Sequence, residues 1–176
     1  MSSTTAYLKS LIRTVPDFPG PGILFRDITT LLKEGEGLRK GIEAMLAPFA
    51  SEHLDLIVGI ESRGFILAAP MALQRGCGLV LIRKPGKLPA ATLRQEYQLE
   101  YGKDAMEIHR DAIRPGQRIL LVDDVLATGG TMAAALRLIQ GLGGQLVGIS
   151  FLVELLSLNG RQRLGACRVE SAIQYE

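Results

Sequence analysis

The chain has no tryptophan, two cysteines, two histidines and 5% aromatic residues among its 176. Each scarcity excludes something. Cys77 and Cys167 stand alone, without the spacings of a metal ribbon or a disulfide framework, and read as reduced packing thiols. His53 and His109 have no partner at ligand spacing, which argues against a zinc site built by the protein. No apolar run approaches the roughly 20 residues needed to span a bilayer. The start, Met1-Ser2-Ser3-Thr4-Thr5, has neither the basic residues nor the apolar core of a secretion signal. Charge of either sign is in short excess, 20 Lys and Arg against 18 Asp and Glu for a net of +2. That balance argues against nucleic acid or a membrane surface as partner. The expectation is a single cytoplasmic domain over 1–176, large enough to bury a core.

What is present is alternation. Short β-branched and leucine-rich runs at 54–60, 79–83, 118–122 and 145–153 are separated by helical stretches at 65–74 and 131–142. Strands alternating with helices predict an α/β fold, an open and mainly parallel sheet with helices on both faces. Earlier, 7–15 places Tyr7, Leu8, Leu11, Ile12 and Val15 on one helical face, and Pro19-Gly20-Pro21-Gly22 predicts a rigid turn. Asp27, Thr29 or Thr30 can cap a turn into Leu31-Leu32, and 38–47 reads as a helix that Pro48 ends. Pro70 should kink or delay the helix in which it sits. Between 85 and 107 the period becomes two, with Arg94, Glu96, Gln98 and Glu100 alternating against Gln95, Tyr97, Leu99 and Tyr101. This predicts a projecting hairpin with few core contacts, either a lid or a plain surface feature.

The most informative run is Ile119-Leu120-Leu121-Val122-Asp123-Asp124-Val125-Leu126-Ala127-Thr128-Gly129-Gly130-Thr131. A strand ends in two carboxylates, and a Thr- and Gly-rich loop then opens a helix. Successive backbone N–H groups in such a loop, joined by the first turn of the helix, form an anion site. Gly129 and Gly130 let a phosphate approach without a Cβ in the way, and Thr128 and Thr131 add hydroxyls, Thr131 also as a possible helix N-cap. Two acids would repel a bare phosphate, so they suit a diol. A ribose 5-phosphate satisfies both, with its hydroxyls on Asp123 and Asp124 and its phosphate at Ala127 to Thr131. In open parallel sheets ligands bind beyond the carboxyl ends of the strands. Glu61 to Gly64 and Arg83-Lys84 fall at two further strand ends, so three polar clusters should share one rim.

This run resembles the phosphoribosyl-pyrophosphate motif of the type I phosphoribosyltransferases. The likeness extends over nearly the full length to the members that use adenine, through Phe25-Arg26-Asp27-Ile28, Glu61-Ser62-Arg63-Gly64-Phe65, Arg83-Lys84-Pro85-Gly86-Lys87-Leu88-Pro89 and Leu99-Glu100-Tyr101-Gly102. The resemblance implies that Glu61, Ser62 and Arg63 form a pyrophosphate loop with a cis peptide between Glu61 and Ser62. It implies that Arg83, Lys84 and Lys87 complete the pyrophosphate site, with Lys87 offered across a homodimer. Phe25 is implied to stack on a purine with Leu155 on its other face, while backbone near Leu24 and Arg26 reads the base edge. Glu100 and Tyr101, on the hairpin, are the implied catalytic acid/base and its neighbour. Arg94-Gln95-Glu96 depart from the family, in which small residues such as Ser commonly precede the first Tyr of this segment, and the departure bears on lid motion.

The implied substrates are adenine and phosphoribosyl pyrophosphate, the products AMP and pyrophosphate, and the implied cofactor Mg2+ carried on substrate oxygens, with Asp123 touching it through water. A 6-oxopurine such as xanthine or guanine is the nearest alternative base. The absence of Lys from 151–161 argues for adenine, because the family's 6-oxopurine members hold the base oxygen with a Lys. A regulator that senses the phosphoribosyl donor and binds DNA is a remoter alternative, and the chain lacks room and charge for it.

Overall fold

The computed structural model describes residues 3–98 and 103–176. Its centre is a five-stranded parallel sheet of β3 (Leu56–Ile60), β4 (Gly78–Ile82), β7 (Arg118–Leu126), β8 (Gln145–Leu155) and β9 (Val169–Tyr175), in the order β4-β3-β7-β8-β9. Both faces of β7 are buried, so apolar residues fill it continuously and sort by parity. Ile119 and Leu121 join Val58, Ile60, Ile149 and Phe151 in one core layer beneath α5 (Gly130–Gly141). Leu120 and Val122 join Ile57 and Leu152 in the other, beneath α1 (Ser3–Leu11), α3 (Gly35–Leu46) and α4 (Arg63–Arg75). Each fully buried Leu or Ile side chain is worth about 1.5–3 kcal/mol, so the two layers hold the sheet rigid between them.

Several local expectations need correction. The first helix stops at Leu11, and Val15 belongs to a strand, β1 (Arg13–Pro16), antiparallel to β2 (Leu24–Asp27). Thr30 explains the break, since its hydroxyl donates to the Leu11 carbonyl at 2.6 Å and accepts from the Arg13 N–H at 3.1 Å. Asp27 organises the turn into α2 (Thr29–Leu32), its Oδ1 accepting from the Thr29 N–H and hydroxyl at 2.9 and 2.6 Å. Pro70 does not delay α4, which is assigned unbroken from Arg63 to Arg75. The carbonyl it leaves without a donor, four residues back, belongs to Ile66 on the exposed side of the helix, where water can reach it.

The hairpin is present as β5 (Thr92–Gln98) and β6 (Lys103–His109), in register from Thr92↔His109 to Gln98↔Lys103. It does not stand clear of the domain. Tyr97, Met106 and Ile108 are buried in the layer beneath α5, with Leu93 packed against them. Period-two alternation therefore marks a strand pair whose described residues lay one face on the core.

Candidate functional site

Register places the two aspartates. Strand β3 pairs with β7 as far as Gly59↔Val122 and then stops, whereas β8 goes on pairing through Asp123↔Phe151 to Leu126↔Glu154. Asp123 and Asp124 therefore lie inside β7 rather than at its end, held by β8 on one side and free of β3 on the other. The gap left by β3 is the floor of a cavity of about 570 Å³. Residues from every cluster anticipated at the rim line it: Leu24, Phe25 and Arg26; Glu61, Ser62 and Arg63; Lys84; Asp123 and Asp124; Ala127, Thr131 and Leu155. Thr128, Gly129 and Gly130 line a smaller recess that opens beside Asp123 and shares Ala127 and Thr131 with the larger one. Arg83 and Lys87 are not part of the lining of the larger cavity.

The small recess has the form of an anion cradle. Gly129 holds φ at +79° and is the N-cap of α5, so the helix presents its first-turn N–H groups toward the loop. Thr131 is consequently inside the first turn and not the cap, a correction that leaves its hydroxyl at the rim of both recesses.

The acid pair is electrostatically loaded. Burial, followed by the neighbouring charge of Asp124, pushes the Asp123 carboxyl well above its usual range, while its Oδ1 accepts the Asp124 N–H at 2.9 Å. Burial also raises Asp124, against the pull of Arg63. The Arg63 Nε approaches Asp124 Oδ2 to 2.5 Å. The contact is an ion pair rather than an aligned hydrogen bond, so Arg63 faces the buried Asp124 Oδ2 as its counter-charge.

Other cations near the cavity are also held by carboxylates. Arg83 reaches Glu61 with Nε and Nη2, each at 3.2 Å, and the Lys84 N–H donates to the same carboxylate at 3.0 Å. Burial alone would raise Glu61, but these donors outweigh it and hold the carboxyl below its usual range. The Lys84 ammonium donates to the Tyr97 hydroxyl at 3.0 Å and to Asp104 on β6. Burial works against its charge, yet Asp104 and Tyr97 keep the ammonium above its ordinary value. Arg83 Nη1 also donates to the Lys87 carbonyl at 3.1 Å, and Lys87 itself is exposed. Glu61 lines the cavity and serves Arg83 as a counter-charge, while it accepts the backbone N–H of Lys84.

The apolar end of the cavity is made by Ile23, Leu24, Phe25, Val125, Leu155 and Leu158. Phe18 packs edge-on against Phe25 with centroids 5.0 Å apart, and the Arg63 guanidinium lies 5.6 Å from the Phe25 ring centre. Arg26 turns its side chain away, onto the ring of Tyr175 at 4.0 Å, so its backbone is what remains for the cavity. The Glu61–Ser62 peptide is cis, and so is Phe18–Pro19. Glu100 and Tyr101 lie outside the described residues. Sequence reasoning missed Ile23, Val125 and Leu158 in the lining, and Asp104 and Tyr97 as partners of Lys84. The first three follow from their neighbours along the chain, whereas the last two carry no local signal. Among the described residues no group of three His, Cys, Asp or Glu side chains forms a metal cage.

Comparison with known proteins adds the following. The model of the phosphoribosyl transferase domain matches residues 28–174. The chain is similar to the adenine phosphoribosyltransferase of Acaryochloris marina, 56% identical over 168 residues, spanning 96% of this chain and 99% of that one. Among solved structures, adenine phosphoribosyltransferase from Rhodothermus marinus aligns at a TM-score of 0.94 and 52% identity, covering 98% of this chain and 99% of that chain. The Saccharomyces cerevisiae enzyme, solved with an imino-altritol bisphosphate and adenine, aligns at 0.92 and 38% identity over 98% and 99%.

Proposed function

We propose, from the premise that the chain belongs to the adenine phosphoribosyltransferase family, that it makes AMP and pyrophosphate from adenine and 5-phosphoribosyl 1-pyrophosphate, a purine-salvage reaction. The observation that carries this reading is the buried Asp123–Asp124 pair, faced by Arg63, in a cavity with an anion cradle beside it and an apolar slot opposite. The ribose hydroxyls donate to Asp123 and Asp124, the 5-phosphate enters the cradle at Ala127 to Thr131, and the purine lies between Phe25 and Leu155. Strand residues two apart present their backbone to the same side, so Leu24 and Arg26 together offer the base edge an N–H and a C=O.

In the reaction the N9 lone pair bonds to C1′ as the C1′–oxygen bond breaks, and pyrophosphate departs with the electron pair. Arg63, Arg83, Lys84 and Lys87 stabilise that leaving charge. Glu100 is assigned to the proton on N7, with Tyr101 beside it, and to the oxocarbenium-like charge on the sugar. Magnesium fits the hard carboxylate oxygens that face the cavity, and would be carried mainly by substrate oxygens, with Asp123 reaching it through water. When bound, it supplies neutralisation of pyrophosphate charge. The homodimer and the cytoplasmic setting belong to the same reading. No described helix is long and apolar enough to cross a membrane.

The test is an assay of pyrophosphate release with adenine, hypoxanthine, guanine or xanthine, each with donor and magnesium. Adenine should exceed the others in kcat/KM by at least about 100-fold, the scale set by matching buried polar groups to one base edge. Comparable turnover of any 6-oxopurine would overturn the assignment.

A further inference from the structure

Glu154 is a buried acid, 3% exposed, that the proposed chemistry does not use. It sits near the end of β8, immediately before Leu155 of the purine slot. Arg161 grips it with a two-point fork, Nε to Oε1 at 2.5 Å and Nη2 to Oε2 at 2.7 Å, and donates from Nη1 to the Val169 carbonyl at 2.8 Å. Ser171 Oγ and Gln174 Nε2 on β9 donate to the same carboxylate at 2.7 and 3.1 Å. These bonds close a loop of two 3-10 turns, Leu156–Leu158 and Gly160–Leu164. One side of that loop, Leu158, lines the purine slot. The other side, Gly160, lies on the phosphate cradle so closely that a Cβ there would come within 2.2 Å of the Ala127 carbonyl oxygen. A Cβ on Gly129 would in turn meet the Gly160 carbonyl oxygen at 2.4 Å. Backbone rests on backbone, and a shift of either loop is passed to the other.

We propose that Arg161, anchored on Glu154, is a positioning residue that holds the purine wall and the 5-phosphate cradle as one body, so that occupation of the cradle sets the base slot for adenine. The inference rests on the adenine phosphoribosyltransferase reading above and adds to it a coupling between two subsites. A two-point Arg–carboxylate grip fixes direction as well as distance, which a single-point Lys cannot reproduce.

The experiment uses the full chain with Arg161→Ala, Arg161→Lys and Gly160→Ala. For each, calorimetry measures adenine binding with and without saturating ribose 5-phosphate, and kinetics measure KM and kcat. In the unmodified protein ribose 5-phosphate should tighten adenine binding. In Arg161→Ala that enhancement should vanish and KM for adenine should rise about 10-fold or more, while ribose 5-phosphate affinity and saturated kcat stay within about 3-fold. Arg161→Lys should recover part of the enhancement. If Arg161→Ala does not fold, Gly160→Ala carries the same test, because its methyl must part the two loops; it too should abolish the enhancement. Enhancement retained in a folded Gly160→Ala or Arg161→Ala protein overturns the coupling, as does equal weakening of both ligands. An unmodified protein that turns over donor with another purine would instead overturn the functional reading, leaving the two failures distinct.

Discussion

Asp123 and Asp124 bring adjacent carboxylates into the cavity floor, and the fold bears the cost of their ionisation. Asp123 is raised by burial first and by its neighbour second, so above the ordinary carboxylate range the group opposes folding, because the unfolded chain ionises it more readily than the folded one. The sign is opposite to that of a salt-bridged acid. A carboxyl whose folded pKa exceeds its unfolded value destabilises the fold above that folded pKa, and the penalty fades as pH falls toward the ordinary 3.8. Asp123→Asn keeps an oxygen to accept the Asp124 N–H and removes the charge. The expected outcome at pH 7 is a protein more stable by roughly 1 kcal/mol, about 3 °C in Tm. Its kcat/KM for the donor should fall at least about 10-fold, for loss of a charged hydrogen bond to the ribose. Thermal scans from pH 7 to 4 should find the stability advantage shrinking. A variant less stable than the parent at pH 7 would remove Asp123 from the list of strained charges.

At the scale of elements, β6 contributes a charge to the site without contributing lining. Asp104 holds the Lys84 ammonium, so an arriving pyrophosphate must compete with it. The pair is partly exposed, and such pairs contribute about 0–1 kcal/mol to stability. Asp104→Asn should therefore fold normally, with Tyr97 still placing Lys84. Its pyrophosphate affinity by calorimetry should rise roughly 3- to 10-fold, with a steeper loss on adding salt. Weaker binding would make Asp104 an organiser of Lys84 rather than its competitor. This pairing, like Glu61 with Arg83, was not legible in the chain, because the partners are some twenty residues apart and meet only across strands. The parts that were legible are local: the carboxylate pair and glycine loop of 123–131, the parallel strands, and the cis Glu61–Ser62 peptide that the resemblance implied. Val15 was misread because hydrophobic spacing alone does not report that Thr30 intercepts the end of α1. The 156–164 loop carries little periodicity, so its contact with the cradle at Gly160 is visible only in three dimensions.

At the scale of the whole molecule the sheet is unevenly covered. Strand β4 is an edge, and its Leu79 and Leu81 are 40% and 36% exposed, while Ile82 of the opposite parity is fully buried. Nearby α4 leaves Ile66 at 47% and Leu73 at 84% exposed. An edge strand with leucines on its open face invites association, and natural sheets usually blunt such edges with charge. Here there is none between Gly78 and Ile82. The expected occupant is a second copy of the chain, consistent with the proposed homodimer. Arg83 and Lys84 follow this strand directly, so contact along β4 would also steady the pyrophosphate side of the site. Replacing Leu73 with Glu and Leu81 with Lys leaves the cavity lining untouched. Sedimentation should find the parent a dimer and the double variant a monomer, with its fold retained by circular dichroism. Activity of the monomer should drop through a higher KM for donor, because Arg83, Lys84 and Lys87 lose the support of the closed edge. A double variant that sediments as the parent does would place the dimer contact elsewhere and leave β4 as an exposed edge.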